Sequence, residues 1–278
     1  MALENTYFDV DFEGLSSNHM HGLLYSTFDE KKSPLILANE IDEKLISNVE
    51  FNNHTINYLH KLKEEEPLKL TQKGNLPRKF CREFLKDNFT GNSNETYIEK
   101  YPIMKEDDSF YIRLINILTE VAGFTKKVYG KKSLTKKGNK LLALKSSYQI
   151  YRNIFLTYTR KFNWGYFDFY PEASIIQNGF GFSIFLVQKY GDEPKESEFY
   201  SNKFLAAFPI TIDQFSDTPY FTKKKQYKQC YYIRTFDRFL YRFGLIDIEK
   251  KGKFPSEQRF IMKKDLLDIL IKWKLNLY

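Results

Sequence analysis

Apolar residues recur every three or four positions in several stretches of the chain, each ending on a proline, a glycine or a polar run. Ile56, Leu59 and Leu62 predict a helix over Asn53 to Glu65 that Pro67 stops. A short strand, Leu68 to Thr71, and a Lys73-Gly74-Asn75 turn follow. Pro77 then marks a helix start, and Phe80, Cys81, Phe84 and Leu85 share one face as far as Asp87. Residues 88–107 read as a polar insertion. Beyond them Ile112, Ile115, Leu118 and Ala122 predict a helix from Ser109 to Ala122 closed by Gly123, and Phe124 to Tyr129 with Lys132 to Thr135 predict a hairpin around Gly130-Lys131. Helix, strand, helix, helix, strand, strand is the order of a winged helix, whose last helix before the hairpin usually enters a DNA major groove.

The pattern recurs 121 positions later. Tyr111-Ile112-Arg113 matches Tyr232-Ile233-Arg234, Gly123 matches Gly244, and Ile233, Phe236, Phe239 and Phe243 repeat the apolar face. Two strands follow, Leu245 to Glu249 and Arg259 to Met262, around a basic turn at Lys250-Lys251-Gly252-Lys253, and a helix closes the unit from Lys263 to Lys274. Upstream, a helix over Ser197 to Ala207 and a strand over Ile210 to Ile212 leave a middle helix squeezed between Asp213 and Pro219. Four identities and an apolar face can also match by chance, so the recurrence supports a second unit without requiring one.

Between the units, Tyr148, Tyr151, Phe155, Tyr158 and Phe162 stripe a helix from Ala143 to Phe162, an aromatic loop runs from Asn163 to Glu172, and an apolar helix spans Ser174 to Tyr190. Such a stripe can stack nucleobases, although at helical spacing it is more often core. The expected fold is α+β and mainly helical. Its divisions are an acidic N-terminal segment with one short helix (1–50), a winged-helix unit (51–146), a central aromatic helical layer (147–192) and a second such unit at the C-terminus (193–278).

Charge sharpens this picture. The 278 residues carry Lys+Arg 43 against Asp+Glu 35, net +8, with 42% hydrophobic residues. Residues 1–66 hold 13 acids and 5 bases, residues 121–167 hold 11 bases and no acid, and residues 221–278 hold 15 bases and 6 acids. Basic blocks of this kind concentrate polyanions. Abundant Lys with Asn, Ile, Phe and Tyr is also what an A/T-rich genome writes whatever the function. If the blocks do bind nucleic acid, the contacts expected are Arg113, Lys126, Lys127, Lys131, Lys132 and Lys136 in the first unit and Arg234, Arg238, Arg242, Lys250 and Lys251 in the second. Arginine suits bidentate contact with phosphate or guanine, whereas hairpin lysines suit phosphate alone.

Other chemistry finds little material. Runs such as Ile175 to Val187 fall short of the roughly 20 residues that cross a bilayer, and Met1 to Val10 carries Glu4 and Asp9 with no basic residue, so a cytoplasmic protein is expected. Two cysteines and four histidines supply no zinc framework. His19 and His21 would share a face only on a strand, and Ser16, Ser17 or Asn18 instead suggests a helix cap before Met20 to Tyr25. Asp9, Asp11 and Glu13 alternate as on an acidic strand. No phosphate-binding glycine loop, nucleophile elbow, zinc helix or dinucleotide fingerprint is present. No cofactor and no metal are expected.

The stretches Met20-His21-Gly22-Leu23-Leu24-Tyr25, Pro67 to Pro77, Ser133 to Leu142, Phe180 to Gly191 and Ala206-Ala207-Phe208-Pro209 give the chain a resemblance to a family of uncharacterised bacterial proteins that often occur near mobile elements. The resemblance implies no activity and no functional residue, only a tilt toward DNA transactions or host defence. The reading is therefore a non-enzymatic nucleic-acid-binding protein, acting on duplex DNA as a regulator or as a mobile-element or defence accessory factor. Its rival is a protein-interaction module whose acidic and basic surfaces pair between chains, as in a homodimer.

Overall fold

The structure, a computed structural model, describes residues 9–88, 105–253 and 257–274. It is α+β and mainly helical, with three small antiparallel sheets. The chain forms two compact units, one of Asp42–Asn163 and one of Met1–Ile41 with Trp164–Tyr278.

The second of these opens with α1 (Ser17–Tyr25) and β1 (Leu35–Leu37). Ser16 caps α1 by accepting the His19 amide at 3.3 Å, and its own amide donates to His19 Nδ1, so the cap reading of this segment holds. Asp11 and Glu13 lie in a turn and Asp9 just ahead of it, not on a strand.

The Asp42–Asn163 unit contains α2 (Glu43–Ile46), α3 (Glu50–Glu65), β2 (Leu68–Lys69), α4 (Arg78–Asn88), a 3-10 turn (Glu106–Asp108), α5 (Phe110–Val121), β3 (Thr125–Val128), β4 (Lys131–Leu134), α6 (Lys136–Ala143) and α7 (Ser147–Arg160). The expected order of elements is present, and most of the polar insertion at 88–107 lies outside the described residues. The sheet runs β2-β4-β3, with Leu68 opposite Lys132 and Lys69 opposite Lys131. Tyr129 and Gly130, both at positive φ, make the two-residue turn between β3 and β4 that hairpin twist favours. Ile112, Leu114, Ile115 and Leu118 of α5 are buried, as are Tyr148, Tyr151, Phe155 and Tyr158 of α7. The aromatic stripe is therefore core.

The chain then returns to the first-described unit with α8 (Ser174–Asn178), α9 (Phe180–Tyr190), β5 (Lys195–Glu196), α10 (Ser197–Ala207), a 3-10 turn (Pro209–Gln214), α11 (Lys223–Tyr231) running into a π-helical stretch (Tyr232–Tyr241), β6 (Ile246–Lys251), β7 (Gln258–Lys263), α12 (Asp265–Leu270) and β8 (Ile271–Trp273), which pairs with β1. Gly179 breaks the expected Ser174 to Tyr190 helix where a Cβ would press on the Phe204 ring at 2.8 Å. The sheet runs β5-β7-β6.

The order of elements recurs, with the Ser197–Ala207 helix present as read, but the other upstream parts are not those expected. Ile210 to Ile212 is 3-10 turn, no helix lies between Asp213 and Pro219, and the missing strand is Lys195–Glu196, ahead of α10. So α9-β5-α10-α11-β6-β7-α12 repeats α3-β2-α4-α5-β3-β4-α6. Hydrogen bonds recur 121 positions apart: the Phe124 amide to the Thr119 carbonyl as the Leu245 amide to that of Leu240, and Gly123 to Glu120 as Gly244 to Tyr241.

Candidate functional site

The short strands of the first sheet sort its lysines by face, because alternate residues point to opposite sides. Thr125 and Leu134 are buried partners, so Lys127 and Lys132, two residues along and opposite each other, point to the same inner side. Lys132 is fully buried there, its ammonium 3.0 Å from Glu120 Oε2 and 3.5 Å from the Asn116 carbonyl, and burial lowers its pKa against the opposing pull of Glu120. Lys127 reaches the same carboxylate at 3.6 Å. Lys132 cannot touch a phosphate, which corrects its place among the expected contacts.

This inner polar layer continues inward. Asn116 donates from Nδ2 to Glu106 Oε1 at 2.6 Å, Glu106 Oε2 accepts the Leu76 amide at 2.6 Å, and Tyr58 Oη donates to Asn116 Oδ1 at 2.9 Å. Every partner is a fixed group of the fold, so the layer clips the 3-10 turn and the Leu76 loop to α5.

The outer side is different. Lys69, Lys126 and Lys131 are exposed, and among the described residues none has an ion-pair partner. Lys69 and Lys131 stand directly opposite on β2 and β4, and like charges in that position destabilise a sheet. Val128 and the 98%-exposed Tyr129 border them at the hairpin tip, and Lys136 is exposed at the start of α6. Lys69 was absent from the expected contacts. The alternation Leu68-Lys69-Leu70 was the signal that would have found it.

Neither helix expected to lie in a groove is free to do so. On α5 only Val121 is exposed, and Arg113 pairs with Asp107 at 2.6 Å. In the other unit Arg234 is 1% exposed: Nε meets Asp168 Oδ2 at 2.6 Å, Nη2 meets Oδ1 at 3.2 Å and the Pro171 carbonyl at 2.8 Å, and Nη1 donates to the Glu172 carbonyl at 2.7 Å. Arg238 donates to the carbonyls of Tyr166 and Phe167 at 2.9 and 3.0 Å. Arg234 is therefore buried and Arg238 half-buried and committed to loop carbonyls, which corrects their place among the expected contacts. The π-helical winding, with its wider hydrogen-bond spacing, brings positions 234 and 238 onto the side facing the 164–172 loop. The two arginines hold that loop in place, with Phe167 and Phe169 at φ +59° and +62° and their rings 47% and 95% exposed. Arg242 is half-buried.

On the second hairpin both expected contacts lie near acids, unlike Lys126 and Lys131 of the first. Lys250 lies 3.9 Å from Glu257, Lys251 lies 3.2 Å from Glu249 and 4.8 Å from the centre of the Phe260 ring, and Lys253 is exposed.

Among the described residues no cluster of three His, Cys, Asp or Glu side chains is arranged to hold a metal, and no helix is long and apolar enough to cross a membrane. Burial pushes the thiols of Cys81 and Cys230 up to about 12, which removes them as nucleophiles at neutral pH.

Residues 48–147 match the family model of the Y4jL N-terminal domain, a description that carries no activity. The matched span runs from just before α3 to the first residue of α7 and encloses the first sheet. No curated protein and no solved structure matches the chain.

Proposed function

We infer that the Asp42–Asn163 unit is a winged-helix module that holds duplex DNA by its phosphates and does not read its bases. The carrying observation is the outer sheet face: Lys69, Lys126 and Lys131, exposed, unpaired and partly opposed to one another. A sheet that keeps like charges face to face gains when an anion bridges them, and phosphate esters at backbone spacing supply that anion repeatedly. The element order and the β2-β4-β3 sheet support the winged-helix reading. The burial of α5 argues against the major-groove insertion by which such modules usually read sequence. Contacts of this kind fix position and carry no sequence information.

Fluorescence anisotropy of the full chain on a mixed-sequence duplex, taken across a salt series, tests the reading. Binding is expected to weaken linearly in log–log form, with a slope of roughly 0.9 per phosphate contact. The Lys69→Glu/Lys126→Glu/Lys131→Glu variant should lose affinity uniformly across sequences and flatten the slope by about 1 per lysine. No binding at low salt, or an unchanged slope in the variant, overturns the reading.

A further inference from the structure

The two modules share a backbone and differ in what their outer sheet faces carry. Register fixes the correspondence. Leu134 pairs with Thr125 and Lys263 with Ile246, the latter partners being 121 positions apart. Counting from those pairs, Lys126 corresponds to Asp247 and Val128 to Glu249 on the adjoining strand. Lys69, opposite Lys131 on β4, corresponds to Glu196, opposite Phe260 on β7.

The outer face of the second sheet is thus acidic at two of the three positions where the first carries lysine, Lys131 corresponding to Phe260, and it adds a third acid, Glu249, at the place of Val128. Asp247 and Glu249 are exposed and Glu196 is half-buried, and Phe260 and the 38%-exposed Met262 form an apolar centre between them. Its counter-charges are local and exposed: Lys264 stands 3.4 Å from Asp247, and Lys251 stands 3.2 Å from Glu249. Exposed pairs of this kind contribute little and exchange readily.

We propose that the acidic outer face of the β5-β7-β6 sheet docks on the basic outer face of the β2-β4-β3 sheet of a second copy of this chain. The occupant follows from charge complementarity at matching positions of one repeated scaffold, so that lysines 69 and 126 meet glutamate 196 and aspartate 247 while Val128 and Tyr129 meet Phe260 and Met262. Unlike faces meet, so the association is heterologous, closing into a ring or extending as a chain. Charged rims of this kind set partner choice and are screened by salt. The same lysines hold DNA in the reading above, so duplex and second copy compete for one face. The inference does not rest on that reading, since a face can select a second copy without touching DNA.

Sedimentation velocity over a concentration series at low and high salt, with the full chain, is the test. Low salt should give mass above one chain that rises with concentration, and high salt should return it to one chain. Glu196→Lys/Asp247→Lys/Glu249→Lys, and separately Lys69→Glu/Lys126→Glu/Lys131→Glu, should each sediment as one chain. An equimolar mixture of the two variants should associate again, because each then offers the face that the other lost. Recovery in the mixture also shows that both variants are folded. A wild-type chain that stays at one mass at every concentration in low salt, or variants that associate as it does, overturn the inference. The DNA reading is judged separately: the Glu196/Asp247/Glu249 variant keeps the lysine face and should bind duplex at least as tightly as wild type.

Discussion

Replacing Arg234 with alanine leaves the Asp168 carboxylate, itself without side-chain exposure, buried and uncompensated, a situation that costs about 3–5 kcal/mol. Urea denaturation should show the loss as a lowered midpoint, and a variant as stable as wild type would mean that the loop is held by other contacts. The left-handed backbone at Phe167 and Phe169 stores of order 1–3 kcal/mol at each position, and the arginine hydrogen bonds to the loop carbonyls are what offsets it. Glu13 makes stability depend on pH. Burial raises its pKa, but hydrogen bonds from Lys203, Tyr190 and Lys189 and the charge of Lys203 outweigh it and leave the carboxyl below its ordinary value. The folded chain therefore holds this proton less tightly than the unfolded one. Its contribution is complete above the unfolded value of about 4.3 and is lost as pH falls through the lower folded value. Glu13→Gln should flatten the acid limb of stability against pH, read as melting temperature from pH 6 downward, and an unaltered limb would remove Glu13 from the account.

Helix ends carry the next level. Glu43 reaches the N-terminus of α7, accepting the Ser147 amide at 2.9 Å and the Ser146 hydroxyl at 2.7 Å, where a negative charge also meets the positive end of the helix dipole. Glu43→Ala should cost about 1–2 kcal/mol by chemical denaturation, within the range of lost caps, and no change would show that water replaces it. Elements of this kind were legible in sequence wherever period and punctuation agreed: α3, α4, α5 and the first hairpin lie where Pro67, Pro77, Gly123 and Gly130 put them. The second module was legible in its Ser197–Ala207 helix and downstream of Tyr232 as far as Leu270, where the helix read on to Lys274 gives way to β8. Its first strand is two residues long, too short to show a period, and its first helix was read as part of a central layer because α9 is apolar on nearly every side. The lysines were legible by number and misread by direction. On a hairpin Lys126 and Lys127 must face opposite ways, so half of the basic residues were bound to turn inward. The arginine cluster failed for another reason. Its partners, Asp168 and the carbonyls of the aromatic loop, lie more than 60 positions away, and a helix read at the α period placed Arg234 on the wrong side.

For the whole molecule, one order of elements occurs twice with opposite charge on the outer sheet faces. The first sheet face concentrates positive charge, the second negative, and a net charge of +8 conceals the contrast. Because neither long helix before a hairpin offers a free face, sequence selectivity is expected to be weak, and occupancy on nucleic acid to be set by salt and protein concentration. Placing the lysines on these strands has a consequence of another kind. In the β2-β4-β3 order both β2 and β3 are edges, and an open edge is a template on which any extended chain can add a strand. Lys69 and Lys126 stand on those edges with exposed side chains, where a hydrated ammonium resists being covered. A variant that merely neutralises them therefore exposes the chain to aggregation, whereas glutamate reverses the sign and keeps the edge closed.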